Sequence, residues 1–516
     1  MKKDKKNSVT KKTAGRPRGR VIIVSNRLPF VIAKDEKGEW TIIPGSGGLV
    51  TALAPVLGNR GGLWVGWPGT VEDHEVVMDG LLQEATKDSG YQLQAVMLNA
   101  KEMENYYSGF SNEILWPLFH DFQSYCNFNP EYWLYYQQVN RKFAEVVDQN
   151  SSGRDFIWVH DYQLMSVAKE LRALSNFSKL GFFLHIPFPP LDIFLKLPWR
   201  FEILRALLEY DLVGFQTLRD RRNFVECIRT LMKDVAVHGK GQVIFMEFEK
   251  REIRVGAFPI SIDFNEFANL ADTDEVAQRA AHIQNTLSNA KILLGIDRLD
   301  YSKGIIEKFK AFRNTLIRYP ELQEKVVLVQ VLVPSRRTIP RYDNLKEDIE
   351  RLVGEINGEF TKSGWVPIHY IFRSLERAEL LAYYRAAEVL LVTPIKDGMN
   401  IVAKEYCASK RDKNGVVILS EYAGTVAQFQ KNALVVNPYD IEGVTEAIHL
   451  AVAMPKNEMH VRMRKLRQSV KKSDVYWWVN SFLLAGIAKR LDNFPIIEDF
   501  VPQDKSVKLQ VKSVSV

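Results

Sequence analysis

Cysteine is scarce in this chain: three residues in 516, Cys126, Cys227 and Cys407, far apart and each among apolar or aromatic neighbours. They make no CxxC and no disulfide framework, so the sequence predicts buried free thiols in a reducing compartment, the cytoplasm. Long apolar runs are also lacking. No segment reaches the ~20 residues that a bilayer-spanning helix needs, and the first twenty residues hold no apolar run, so neither a signal peptide nor a membrane anchor is expected. The nine histidines show no HxxxH pairing with a carboxylate, which leaves no zinc site to read. No GxGxxG follows a strand, so a dinucleotide cofactor is not indicated. Net positive charge is confined to one place: residues 1–20 carry nine Lys/Arg and one Asp, +8 against a formal +7 for the whole chain, so residues 21–516 sum to −1. Attraction of nucleic acid by net charge would belong to that tail alone. Its Arg16-Pro17-Arg18-Gly19-Arg20 has the form of a minor-groove arm, but a disordered solubilising extension is the reading adopted, and a nucleic-acid partner is not expected.

What remains is a globular α/β chain, 46% apolar and 25% charged. Its length exceeds one ordinary core and predicts two domains of roughly 200 residues or more. Strand-like runs at 21–25, 62–66, 156–160, 181–185 and 212–215 alternate with helical patterns such as 130–147 and 193–208. Past Phe258-Pro259-Ile260 the alternation restarts at 292–296, 326–331, 366–372, 389–393 and 416–420. Two βα series imply two doubly wound domains facing across a cleft, 21–262 and 263–470. The aromatic stretch VYWWVNSFL predicts a closing helix, 471–492, that packs across domains, and residues 493–516 read as a polar tail.

Candidate chemistry lies where open α/β sheets bind ligands, past the carboxyl ends of strands. In KILLGIDRLDYSKGI, Arg298 and Lys303 follow an apolar strand; two cations there can neutralise a diphosphate that departs with growing charge, or make a surface ion-pair loop with Asp297 and Asp300. In LLVTPIKDGMNIVAKE, a strand ends at Thr393-Pro394, Asp397-Gly398 makes a turn, and 399–405 reads as the start of a helix whose first amides can bind anions or hydroxyls. There Asp397 and Glu405 can accept hydrogen bonds from sugar and ribose hydroxyls, or be a helix cap and a solvated residue. In Pro44-Gly45-Ser46-Gly47-Gly48 the glycines would let backbone approach a phosphate. His160 and His185 stand at strand ends, where a lone histidine is more often structural. Asp161, just past a strand, is a candidate to orient an acceptor hydroxyl. Asp272-Thr273-Asp274 has the DxD form of metal-dependent glycosyltransferases, but it opens a helix, where acids suit the cap and the dipole.

Together these segments resemble the trehalose-6-phosphate synthase family of retaining glycosyltransferases. The matching blocks are VIIVSNRLPF, GSGGLV, GGLWVGWPG, YYSGFSNEILWPLFH, WVHDYQLM, GFFLHIPFPP, YDLVGFQT, GIDRLDYSKG, EINGEF, TPIKDGMNIVAKEY and LSEYAGT, in family order. The resemblance implies a GT-B fold, two Rossmann-like domains with the site between them. It implies transfer of glucose from UDP-glucose to carbon 1 of glucose 6-phosphate with retention, no metal and no other cofactor. By the same resemblance Arg298 and Lys303 bind the donor diphosphate, with backbone at Gly48. Asp397 and the amides of Asn400, Ile401 and Val402 hold the transferred glucose, Glu405 the ribose, and His185 the donor sugar. Asp161 holds the acceptor glucose, whose phosphate is met by Arg27, Tyr107, Trp116 and Arg336 in a pocket shaped by Trp67, while Trp64 reads as core. Retention without a glycosidase-like carboxylate pair implies front-face attack, with Asp161 orienting rather than forming a covalent bond.

The enzymatic alternative is transfer from ADP-glucose to glycerol 3-phosphate by relatives of the same fold. A reading of another class is a non-catalytic sugar-phosphate sensor, which loss of Arg298, Lys303, Asp397 or Glu405 would have favoured. A carboxyl-terminal phosphatase domain is not expected, so a separate phosphatase would act downstream; a homo-oligomer is compatible with the sequence.

Overall fold

A computed structural model of the chain describes residues 19–502 apart from 35–39, 46–47, 71–74, 288–289, 337–338 and 492–493. The tail expectations for 1–18 and 503–516, and Ser46-Gly47 of the glycine turn, lie outside the described residues.

In chain order the strands of the first half are β1 (Val21–Arg27), β2 (Phe30–Lys34), β3 (Trp40–Pro44), β4 (Leu63–Trp67), β5 (Gln92–Ala95), β6 (Phe156–His160), β7 (Lys179–Phe183), β8 (Leu212–Phe215), β9 (Ala236–His238), β10 (Val243–Phe248) and β11 (Arg251–Ala257). Those of the second half are β12 (Lys291–Arg298), β13 (Val326–Val333), β14 (Ile368–Ile371), β15 (Val389–Val392), β16 (Val416–Ser420) and β17 (Leu434–Val436). They form a nine-stranded sheet, β5-β4-β1-β6-β7-β8-β11-β10-β9, and a six-stranded sheet, β14-β13-β12-β15-β16-β17, with β2 and β3 as a separate hairpin. The runs in β12, β13, β15 and β16 are buried almost throughout, as parallel strands covered by helices on both faces must be. Pairing is parallel from Lys291↔Val326 to Arg298↔Val333, for example. The first sheet turns antiparallel at its β11-β10-β9 edge, where Glu249 and Lys250, both with positive φ, make the tight turn that matches strand twist. This is the expected architecture of two doubly wound, Rossmann-like layers.

Helix ends follow local chemistry. Asn129 caps the helix Pro130–Gln149 by accepting from Glu131 N, with proline in the first turn. The helix expected over 193–208 is two pieces, Leu191–Phe194 and Arg200–Leu208, because Pro198 between them has no N–H to give and crowds the preceding turn. The segment Met103–Leu115 is a π-helix, closed by the Trp116 N–H to Ser111 O bond, a rare form found often at functional sites. The closing helix is Val475–Ile487, capped by Asp474. It packs on the first sheet: the Phe482 ring stacks on Trp158 at 4.3 Å, in space that Gly214 leaves free, since a Cβ there would stand 2.6 Å from the Phe482 ring. Cys227 and Cys407 are buried free thiols, whereas Cys126 is only half-buried. No helix among the described residues is long and apolar enough to cross a membrane.

Candidate active site

In the first sheet β1 leads by way of β4 and β5 to one edge, and β6, β7 and β8 continue on the other side, so the strand order reverses between β1 and β6. In the second it reverses between β12 and β15. Such switch points open a crevice past the strand ends. Arg27 ends β1, Asp161 follows β6, Arg298 ends β12 and Asp397 follows β15. The two halves meet closely: a Cβ on Gly398 would lie 2.0 Å from the His185 carbonyl oxygen, so only glycine fits that position.

On the first side the Arg27 guanidinium lies 4.1 Å over the Trp67 ring and 5.8 Å from that of Tyr107. Burial lowers its pKa against the pull of Tyr107. Trp67 is anchored by its Nε1–H to Thr70 O at 2.8 Å, whereas Trp64 is fully buried and donates to Ser25 Oγ. Asp161 sits at φ 75° and accepts from His185 N at 3.1 Å. Burial pushes its carboxyl up to about 6, while the amides of His185, Tyr162 and Ile186 and then Arg298 pull it back. His185 and His160 lie with Nε2 and Nδ1 3.1 Å apart, and burial holds His185 down to about 3, so it is neutral.

On the second side Lys303 Nζ donates to Asp397 Oδ2 at 2.6 Å, and Asn400 Nδ2 donates to the same oxygen at 3.2 Å. Burial raises the Asp397 carboxyl but Lys303 outweighs it, leaving the pKa below the ordinary value. The helix begins at Val402, with Ile401 at its cap position, rather than at Met399 as expected. The reason is that Asn400 adopts φ 62°, with the Met399 and Asn400 carbonyls both accepting from Thr425 Oγ1. Glu405 accepts from Tyr384 O–H at 2.8 Å and is raised by burial. Gly48 opens the helix Gly48–Arg60.

Trp116, delivered by the end of the π-helix, joins the two sides. Arg336 stacks on its ring at 3.8 Å and Arg298 stands 5.5 Å from it, an arrangement worth about 0.5–2 kcal/mol per pair. Arg336, at φ 49°, donates to Asp300 Oδ2 and Tyr342 O–H, both at 2.8 Å, and to Tyr162 O–H at 3.3 Å. The indole N–H of Trp116 and Oδ1 of Asn400 are buried without a hydrogen-bond partner, which marks them as groups left for a ligand. Asp161, Arg336 and Asn400 are all non-glycine residues at positive φ, strain of the kind that gathers at functional sites.

The sequence reading missed the residues that hold these groups: Asp300, Tyr162 and Tyr342 around Arg336, Tyr384 on Glu405, and Gln216 behind His185. Asp300 stood beside Arg298 in the motif and was weighed only as a surface charge; it is fully buried. Burial would raise its carboxyl, but Arg336, Lys303 and Arg298 keep it low. In the DxD segment Thr273 takes the cap position without a side-chain cap bond, Asp274 and Glu275 stand in the first turn, and Asp272 pairs with Arg411. Among the described residues no three metal-ligating side chains converge. A groove of about 670 Å³ lined by Arg221, Arg229 and Lys240 lies elsewhere and contains none of the site residues.

Residues 19–485 match the model of glycosyltransferase family 20. The trehalose-6-phosphate synthase of Mycolicibacterium gilvum is 44% identical over 469 residues, 90% of this chain and 92% of that protein. Among solved structures, the α,α-trehalose-phosphate synthase (UDP-forming) of Burkholderia xenovorans in complex with glucose-6-phosphate superposes with a TM-score of 0.81 at 34% identity, covering 90% of this chain and 99% of that one. The E. coli structure bound with UDP-2-fluoro glucose has a TM-score of 0.80 at 32% identity, covering 92% and 100%. The chain belongs to glycosyltransferase family 20 and has the GT-B fold.

Proposed function

We infer that this chain transfers glucose from UDP-glucose to carbon 1 of glucose 6-phosphate with retention, releasing UDP and giving α,α-trehalose 6-phosphate. The observation that carries the reading is Trp116 flanked by Arg298 and Arg336: a cation at the end of β12 for a departing diphosphate beside a second, rigidly held cation for an acceptor phosphate. Of the relatives named above, the Burkholderia xenovorans protein is UDP-forming and was solved with glucose-6-phosphate, and the E. coli protein was solved with UDP-2-fluoro glucose.

On this reading the bond between glucose C1 and the diphosphate oxygen breaks as the acceptor hydroxyl enters from the same face, its proton passing to the departing phosphate oxygen. Arg298 and Lys303 meet the charge that grows on the diphosphate, the part a divalent cation takes in other transferases. Asp397, sharing Lys303, and the amides of Asn400, Ile401 and Val402 grip the glucose being moved, with His185 on its other side and Glu405 on the ribose. Gly48 backbone lies by the diphosphate. Asp161 accepts from an acceptor hydroxyl and orients it. Arg27, Tyr107, Trp116 and Arg336 receive the phosphate, with Trp67 behind Arg27; a dianion in such a cleft needs this charge and hydrogen bonding. Halves 21–262 and 263–470 would close on the donor with the helix Val475–Ile487 as the strap between them. On the same reading the enzyme would work in the cytoplasm, where a separate phosphatase would consume the product.

The test is nucleotide release in EDTA with UDP-glucose or ADP-glucose crossed against glucose 6-phosphate or glycerol 3-phosphate, the product identified by mass. Turnover with UDP-glucose and glucose 6-phosphate is expected. Turnover only with glycerol 3-phosphate, or silence despite measurable ligand binding, would overturn the reading in favour of the glycerol enzyme or the sensor.

A further inference from the structure

Behind His185 runs a hydrogen-bond chain that none of these roles uses. Its fixed end is the backbone N–H of Ile260, which can only donate, and does so to Gln216 Oε1 at 3.0 Å. That sets the orientation of the side-chain amide, so Gln216 Nε2 faces His185 Nδ1 at 3.4 Å. An amide nitrogen can only donate as well, so Nδ1 accepts and the neutral ring carries its proton on Nε2. His185 Nε2 lies 3.1 Å from His160 Nδ1, which therefore accepts. His160 is left with its proton on a buried Nε2 that has no hydrogen-bond partner, among the rings of Trp158 and Trp478 at 4.7 and 6.4 Å. Burial, and then His185, hold His160 well below its ordinary pKa, consistent with two neutral rings.

Ile260 is held from the second half too. Lys404 Nζ donates to Ile260 O at 2.7 Å. Lys404 is fully buried, one residue before Glu405 on the helix that begins at Val402. The residue linking the last strand of the first sheet to the second half is thus clamped by Gln216 on one side and by the donor-site helix on the other.

We propose that Gln216 is a positioning residue for His185: through the Ile260 N–H it fixes the Nε2–H tautomer, so that His185 offers a hydrogen-bond donor, which it exchanges from His160 Nδ1 to a hydroxyl oxygen of the transferred sugar. The role of that donor rests on the reading of His185 as a donor-sugar contact; the tautomer does not.

The experiment uses full-length protein labelled with 15N-histidine, with His185→Asn to assign the signals. Long-range 15N–1H spectra are expected to show His185 protonated on Nε2 and bare on Nδ1. In Gln216→Glu the carboxylate accepts from both Ile260 N–H and the ring, so the proton moves to Nδ1. The kcat/KM for UDP-glucose should then fall about tenfold, with KM for glucose 6-phosphate held within about twofold. Gln216→Met, which neither donates nor accepts at the ring, should give mixed tautomers and a smaller loss; it serves if the buried glutamate prevents folding. A proton on Nδ1 in the unsubstituted protein, an unmoved tautomer in the folded variants, or a KM for glucose 6-phosphate that rises as much as kcat/KM for UDP-glucose falls would overturn the proposal. Absence of turnover in the unsubstituted protein would refute the proposed function while the spectra still decide the tautomer.

Discussion

At the β12/β15 switch point, buried or half-buried carboxylates stand against cations: Asp300 on Arg336, Asp397 on Lys303, and, one layer deeper, Asp297 on Lys308 at 2.6 Å. At the β1/β6 switch point the corresponding groups are met by dipoles and rings. Asp161 is held by backbone amides, Arg27 lies on Trp67, and two histidines face each other uncharged. The pKa directions follow: Asp300 and Asp397 are lowered, whereas Asp161 is raised and Arg27 lowered, each toward its neutral form. One topology therefore serves two electrostatic designs. Apart from Arg298, the second half holds these charges already compensated, and the first holds charges that a phosphate and a sugar hydroxyl would complete.

The largest break should come from removing a partner on the compensated side. Arg336→Met leaves Asp300 buried and unpaired and is expected to lower stability by about 3–5 kcal/mol in chemical denaturation. Adding Asp300→Asn should restore most of that loss without restoring turnover, because the cation for the acceptor phosphate is still missing. If the single variant is as stable as the parent, the compensation described for this side is wrong. Next in size is Arg298→Ala. Arg298 is exposed, has no ion pair among the described residues and loses only its contact with the Trp116 ring, so stability should move by no more than about 1 kcal/mol. Turnover should fall about 10²–10³-fold, the usual effect of losing one group aimed at transition-state charge; steady-state UDP release measures it. On the uncompensated side Arg27→Met should raise KM for glucose 6-phosphate about tenfold or more. It should leave stability unchanged or improved, since burial already disfavours that cation; a melt that drops with KM would erase the contrast.

Legibility in the sequence divides along the same lines. Arg298, Lys303 and Asp397 could be placed because ILLGI and VLLV are unmistakable buried strands and the residues follow them directly. The approach of His160 to His185 could not be read, because the two lie twenty-five residues apart and meet only through the register that sets His160 beside Phe183. Nor could Gln216, Tyr342 or Tyr384, whose partners lie on other elements of the fold. The block from Tyr106 to Trp116 was recognisable as a motif, but its π-helical turn leaves no 3.6-residue pattern to detect, so the aim of Trp116 was invisible. The β10–β11 hairpin went unread because its turn, Glu249-Lys250, lacks the asparagine or glycine that signals positive φ.

Acid sharpens the comparison most finely. The folded Asp161 carboxyl titrates at about 6 against 3.8 for the free group, so the folded protein binds that proton more tightly. Its contribution to stability is full below 3.8 and is lost as pH rises through 6. Asp300 and Asp397 run the other way: their contributions are present above 3.8 and are lost as pH falls through their lowered values. In the role proposed for it, orienting the acceptor hydroxyl, Asp161 must be the carboxylate, so kcat/KM for glucose 6-phosphate should halve near pH 6 on its account. The substrate phosphate also takes a proton near pH ~6, and the two losses multiply, so well below that pH the unsubstituted protein should fall about a hundredfold per pH unit. Asp161→Asn keeps an acceptor oxygen and cannot titrate, so its lower activity should fall only about tenfold per unit, from the phosphate alone. The profile for UDP-glucose, measured with glucose 6-phosphate saturating, should lose less than either. Identical slopes in the two proteins would mean that Asp161 is ionised throughout, and that its backbone amides compensate it as fully as Arg336 compensates Asp300.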